Sequence, residues 1–447
     1  MGTLYADGVF VVISPVLHKD QALHILKDCN VKILITQSNK LKIISDELHS
    51  TEVKKVILNT HEGDFTLYGL IEEYKNKNCC SSCISTDNAN IIYTSGSTGK
   101  PKGIVLSHQN LIEGAKIVAQ YLHISAEDKI AGVLPFNFDY GLNQLTTAML
   151  KGASLILHAF ILPNDLLNFL KKEKITGLAG IPPIWNTLFN AKLTAKEQYD
   201  FPHLRYLTNS GGKMPVPIVR KIKEFFPHTD IYLMYGLTEA FRSTYLDPKE
   251  IDKRPNSIGK AIPNVEIYVV NEKGEECVPY EHGELIHRGT CIAKGYWNDL
   301  NKTQQVYRLN PLLKNNKHLE TVVYSGDLVY RDEEGFLYFV SRKDEMIKTQ
   351  GYRVSPTEVE EVLLKFQGIQ NAVVFGVENE QGEQKIRALI QTHEVLNVKD
   401  ILAHCKNEIP TYMVPHEIIF YNEFPKTASG KIDRAKLKME SIIKQRG

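Results

Sequence analysis

Three observations predict a layered α/β fold that carries a small β region and ends in a separate α+β domain. Apolar-periodic helical stretches alternate with short branched strands through the first half of the chain. The pattern changes to short strands and turns after about residue 258, and a new helix-start signal opens at Ser355.

The alternation begins with DQALHILKDC (20–29), helical in its spacing, which runs into VKILIT (31–36), and VKKVILN follows at 53–59. It continues through NIIYT (90–94), ASLIL (153–157), LLNFLKKEK (166–174), TGLAGIP (176–182), IVRKIKEFF (218–226) and IYLMYG (231–236). Residues 1 to about 240 are therefore read as layered α/β structure. Between about 258 and 340, VEIYVVNEKGEE, GELIHRG and GFLYFVSR read as strands joined by turns. Ser355-Pro356-Thr357-Glu358 then combines an N-cap Ser, a Pro at the first helical position and a Glu at the third. Val359, Val362, Leu363 and Phe366 share one face of the helix so begun, and NAVVFGV (371–377) supplies a strand beneath it. The division expected is an N-terminal domain of residues 1–341 and a mobile C-terminal domain of residues 342–447.

Composition narrows the function. Lys and Arg number 53 against 52 Asp and Glu, so a net charge of +1 gives no overall attraction to nucleic acid or an anionic membrane. No uncharged apolar run reaches 18 residues, so no membrane span is expected. The first residues, Met-Gly-Thr-Leu-Tyr-Ala-Asp-Gly, lack the basic stretch and apolar segment of a secretion signal, which points to a cytoplasmic location. Ala6 stands where a myristoylation motif at Gly2 wants Ser or Thr. Seven cysteines, an odd number, fit reduced thiols, and Cys80-x-x-Cys83 lacks the second pair that zinc needs.

The most informative stretch is Tyr93-Thr-Ser-Gly-Ser-Thr-Gly-Lys-Pro-Lys-Gly103, a glycine- and hydroxyl-rich loop after a strand. Its backbone N–H groups and hydroxyls can converge on phosphate oxygens, with Lys100 and Lys102 adding charge. It is not the common P-loop, because Thr94 stands where that pattern has Gly and Pro101 follows Lys100. Glu239 is a hard oxygen ligand of the kind Mg²⁺ prefers, and Asp327 with Arg342 offers two acceptors beside a planar donor fork.

With four further segments in order, the chain resembles the adenylate-forming ligases, a family that includes acyl-CoA synthetases, peptide synthetase adenylation domains and firefly luciferase. The segments are Tyr235-Gly-Leu-Thr-Glu-Ala240, Tyr324-Ser-Gly-Asp327, Ser341-Arg-Lys-Asp344 through Gly351, and Pro425-Lys-Thr-Ala-Ser-Gly-Lys431. Within the family it looks most like acyl-CoA ligases of exosortase-type surface polysaccharide systems. The resemblance implies that Thr94, Ser95, Gly96, Ser97, Thr98, Gly99 and Lys102 bind phosphate, and that Thr238 and Glu239 hold Mg-ATP, Glu239 as the metal ligand. It further implies that Asp327 and Arg342 bind ribose and that Tyr235, followed by Gly236, offers a ring to adenine. Gly211 and Gly212 resemble the loop beside that base, but Lys213 departs from the small residue usual there.

By the same resemblance Lys431 is the catalytic lysine of adenylation, Asp344 is a hinge, and the loop at Gly351 later faces pantetheine. The implied reaction activates a small carboxylic acid with ATP and Mg²⁺, forms an acyl-adenylate, and passes the acyl group to CoA or to carrier-protein phosphopantetheine. A carrier protein and a second copy of the chain are the partners this allows. The acid itself stays open: Leu134-Pro-Phe-Asn-Phe-Asp139-Tyr-Gly141 matches acyl-CoA synthetases through its Pro and Tyr-Gly, whereas its Asp139 resembles the residue that binds a substrate amino group. Arg242 can pair with a second acidic group of the substrate, form a structural ion pair, or face solvent. The alternatives are an amino acid-activating ligase, a luciferase-like oxygenase, and a non-catalytic binding or assembly homologue. In the family several dozen residues precede the point that resembles Ala6–Pro15, so an uncovered sheet edge is expected, in a truncated chain or one that pairs with a partner.

Overall fold

The structure, a computed structural model, describes residues 2–59, 66–77, 80–94, 101–190, 200–313, 320–349, 352–378 and 384–444. The organising element is a seven-stranded sheet in the order Lys260–Ala261, Thr244–Leu246, Asp230–Tyr235, Tyr206–Asn209, Gly177–Gly180, Lys129–Gly132 and Ser154–Leu157. The last five strands of this order run parallel, and the first two turn antiparallel at one edge. Every residue of Gly177–Gly180 and Tyr206–Asn209 is buried, as expected of parallel strands covered on both faces. Such sheets present ligands with the loops that follow their strands' carboxyl ends. Here those loops begin at Ser210 and Gly236.

Two smaller sheets flank this one. Phe10–Val11, Asn88–Thr94, Lys102–Ser107 and Gly295–Tyr296 form a four-stranded sheet. The antiparallel pair Asn88–Thr94 and Lys102–Ser107 brackets the glycine-rich loop. In the β region, Thr321–Arg331 lies between Gly283–Gly289 on one side and Tyr307–Leu309 and Leu337–Arg342 on the other. Its register sets Asp327 directly opposite Arg342. The helices His108–Tyr121 and Asp139–Lys151, absent from the sequence reading, pack on each other and help build the core.

After residue 340 the packing starts afresh. Ile347, Val354, Val359, Val362 and Leu363 cluster with Val374, Ala388 and Ile401 over the sheet Asn371–Glu378, Gln384–Gln391, Glu417–Tyr421. The neighbouring cluster of the β region holds Val329 and Leu337, with Phe339 against it. The helix Pro356–Leu364 starts as its sequence requires: the Ser355 hydroxyl accepts the Glu358 backbone N–H at 3.3 Å. Ser355→Ala is expected to cost about 1 kcal/mol, the usual worth of an N-cap hydroxyl, read as a lower melting temperature. Among the described residues no helix is long and apolar enough to cross a membrane.

Candidate active site

The loops after the parallel strands, one face of the β region and a loop of the C-terminal segment enclose a cavity of about 330 Å³. One end of it is built on the strand Asp230–Tyr235 and the pair facing it. The Tyr235 hydroxyl donates to Asp327 Oδ2 at 2.5 Å, and Arg342 Nη1 donates to Oδ1 at 2.8 Å. Burial raises the Asp327 carboxyl, while Arg342 and Tyr235 work against that rise. Each oxygen has one partner and so keeps acceptor capacity for a ribose hydroxyl. The Tyr235 ring, pinned at its hydroxyl, is a fixed wall of the cavity, together with Ile258 and Phe339.

The loop Ser210–Lys213 forms the opposite wall. Asn209 fixes its start, accepting from Trp185 Nε1 at 3.1 Å and donating to the Gly212 carbonyl at 3.2 Å. Gly211 has φ +76°, and a Cβ there would lie 2.9 Å from Lys431 Cε and 3.2 Å from the Phe138 ring. The glycine is needed twice over, for its left-handed backbone and for the space the lysine fills.

Thr238 and Glu239 occupy the short turn after this strand. The Tyr296 hydroxyl donates to Glu239 Oε1 at 2.5 Å, and the Glu239 carbonyl accepts from Ala293 N–H at 2.9 Å and Tyr307 OH at 3.2 Å. Neither tyrosine was foreseen. Among the described residues no group of three or more His, Cys, Asp or Glu could hold a metal ion, and Glu239 shares the cavity with the carboxylates of Asp139 and Asp327. That arrangement suits Mg²⁺, which keeps waters and takes phosphate oxygens beside one or two carboxylates. The turn ends at Phe241, a left-handed residue at φ +48° whose ring is fully buried. Such a conformation costs about 1–2 kcal/mol in a residue with a Cβ.

Lys431 enters from the C-terminal segment on a closed loop. Thr427 N–H donates to the Lys431 carbonyl at 2.7 Å, and Gly430 N–H to the Thr427 carbonyl at 2.9 Å. The ammonium lies 4.6 Å from the Phe138 ring centroid. Burial lowers its pKa, and the carboxylates of Asp139 and Glu239 oppose that shift.

The cavity also holds a buried charge pair. Asp139 opens the helix Asp139–Lys151, and its Oδ2 lies 3.8 Å from Arg242 Nη1, with both residues under 5% exposed. The solvent option for Arg242 is thereby excluded. Its guanidinium carbon sits 5.1 Å from the Tyr140 ring centroid, and Nε and Nη2 are buried with no hydrogen-bond partner among the described residues.

Thr94, Gly212, Gly236 and Lys213 also line the cavity. Lys102 does not; its ammonium pairs with Asp299 at 3.1 Å. Asp344 lies in the turn after Leu337–Arg342, with a side chain 68% exposed and 3.5 Å from Arg342 Nε. Ser95, Gly96, Ser97, Thr98, Gly99 and Gly351 lie outside the described residues.

Comparison with known proteins returns two family models, AMP-binding enzyme over residues 1–297 and AMP-binding enzyme C-terminal domain over residues 358–431. A long-chain-fatty-acid–CoA ligase of Bacillus subtilis (strain 168) is 29% identical over 98% of this chain and 82% of its own length. Gramicidin S synthase 2 of Aneurinibacillus migulanus is 30% identical over 97% of this chain, which spans only 9% of that much longer protein. Among solved structures, a benzoate CoA ligase from Burkholderia xenovorans LB400 superposes with a TM-score of 0.83 at 25% identity, covering 98% of this chain and 85% of that one. The anthranilate CoA ligase AuaEII, solved with anthranoyl-AMP, gives a TM-score of 0.88 at 24% identity, over 99% and 84% of the two chains.

Proposed function

The chain belongs to the AMP-binding enzyme family, and from that premise we propose that it is an AMP-forming ligase joining a carboxylic acid to a thiol. The observation that carries this is the position of Lys431, whose side chain shares one cavity with Glu239, Tyr235 and the Asp327–Arg342 pair. A carboxylate attacks the α-phosphorus of ATP, pyrophosphate leaves, and an acyl-adenylate forms. Both reactants are anions, so a fixed ammonium between them lowers the barrier as the bond is made. Asp327 and Arg342 orient the ribose, Tyr235 the base, and Thr238 a phosphate oxygen. Mg²⁺ held on Glu239 supplies further positive charge to the phosphates. A thiol of CoA or of carrier-protein phosphopantetheine then attacks the acyl carbon and AMP departs.

The two half-reactions divide the chain. We place the domain boundary at residues 341/342, because the apolar clusters separate between Phe339 and Ile347, with Asp344 as hinge and the loop at Gly351 turning to meet pantetheine. At the acid end the Asp139–Arg242 pair favours a substrate with a polar group over a bare alkyl chain, since burying charges against hydrocarbon is costly. A cytoplasmic setting and association with a carrier protein or a second copy complete this reading.

The test is pyrophosphate release with ATP across fatty, aryl and amino acids, repeated with CoA. Acid-dependent release followed by a thioester product is expected. No release with any acid, from a cooperatively folded protein that still binds ATP, would favour a non-catalytic homologue.

A further inference from the structure

Lys213 departs from the small residue that its loop resembles, and the structure gives the departure a partner. Its side chain is 19% exposed, pairs with the Glu361 carboxylate and donates to the Phe339 carbonyl at 3.2 Å. Glu361 lies on the helix Pro356–Leu364, in the C-terminal domain, whereas Lys213 ends the loop Ser210–Lys213 of the N-terminal domain. Two residues earlier, Gly211 leaves the space into which Lys431 reaches. One short loop thus meets the C-terminal domain twice, on the catalytic lysine and on a separate helix.

We propose that Lys213 and Glu361 are positioning residues that hold the C-terminal domain in the orientation where Lys431 reaches the cavity. The inference rests on the ligase reading given above and adds a determinant of how the enzyme divides its time between the two half-reactions. A charge pair so placed acts only in the adenylating orientation: once the domain turns about the Asp344 region, Glu361 leaves Lys213 behind. Its loss therefore costs the first half-reaction and not the second. Glu358, one turn earlier on the same helix, has its carboxyl raised by burial and by the neighbouring Glu361, so Lys213 also offsets a repulsion between two carboxylates. A partly buried pair of this kind is worth only a several-fold shift in population, because solvent screens it and ordering two side chains is costly.

The test compares wild type, Lys213→Ala, Glu361→Gln and the exchanged double variant Lys213→Glu/Glu361→Lys, each as the full chain. Each single variant should lower acid-dependent ATP–pyrophosphate exchange roughly two- to five-fold, and Glu361→Gln, which lies outside the cavity lining, should leave thiolysis of a supplied acyl-adenylate unchanged or faster. The double variant should return exchange towards wild type. An independent arm needs no substrate: trypsin cleavage after Lys343, beside the exposed Asp344, should be faster in each single variant and near wild type in the exchanged one. Equal cleavage in all four proteins, or a Glu361→Gln variant that slows both half-reactions alike, would overturn the proposal. A wild type that activates no acid would count against the ligase reading alone, since the cleavage comparison still decides whether the pair holds the two domains together.

Discussion

Lys431→Ala is expected to slow adenylation by roughly 10²–10³-fold, the scale of losing one preorganised charge-stabilising group, while thiolysis of a supplied acyl-adenylate stays close to wild type. The asymmetry follows from geometry. Lys431 reaches the cavity only because Gly211 lacks a Cβ and the Phe138 ring lies beside the ammonium. In the proposed reaction its charge would serve the step in which a carboxylate meets a phosphate, and thiol attack on the adenylate creates no such clash of anions. The pH dependence has a definite sign. Burial disfavours the charged lysine, so the group loses its proton below the ordinary 10.5, and adenylation should decline with rising pH before an exposed lysine would titrate. Single-turnover rates of the two half-reactions, measured separately across pH, check both statements. Equal losses in the two would make Lys431 structural.

Asp139→Ala should carry the second large effect, on stability and on substrate choice together. The carboxylate lies 3.8 Å from Arg242 Nη1 in a buried setting. Removing one member of a buried pair leaves the other charged and uncompensated, which typically costs about 3–5 kcal/mol. The melting temperature should fall clearly, and Asp139→Asn should lose less because the shape is kept. Among acids, those bearing an ammonium should lose activation in the Ala variant, and those without one should keep it in whatever fraction remains folded. Indifference of an amino acid substrate to the substitution would show that Asp139 serves Arg242 alone.

Much of this cavity was legible because several side chains that line it sit in segments whose neighbours mark them. Glu239 follows a strand inside YGLTEA, Lys431 ends PKTASGK, and Asp327 with Arg342 closes two facing strands. What supports those side chains was not legible. Tyr296 and Tyr307 hold Glu239 from 57 and 68 residues further along, and isolated tyrosines carry no spacing that would mark them. The Asp139–Arg242 contact likewise joins a helix start to a turn by tertiary packing alone. The helix Asp139–Lys151 is hidden in the sequence because its first six residues, polar and apolar alike, are all buried, so no exposed face marks a 3.6-residue period. Lys102 adds a partner that its segment does not announce: the lysine follows a phosphate-type loop in the sequence, and only the fold sets Asp299 beside it.

The turn that carries Glu239 and Arg242 is keyed into the protein by Phe241. Its ring occupies the place where a Cβ on Gly114 would stand, 2.4 Å from the nearest ring carbon. Ring and missing methyl form a lock whose two halves lie on different elements, so neither can be transplanted alone. A chimera that imports a relative's turn to change acid preference must import that relative's residue at position 114 as well. For whoever redesigns this enzyme, the smallest exchangeable module of this wall of the cavity is therefore a turn together with one residue of the helix His108–Tyr121.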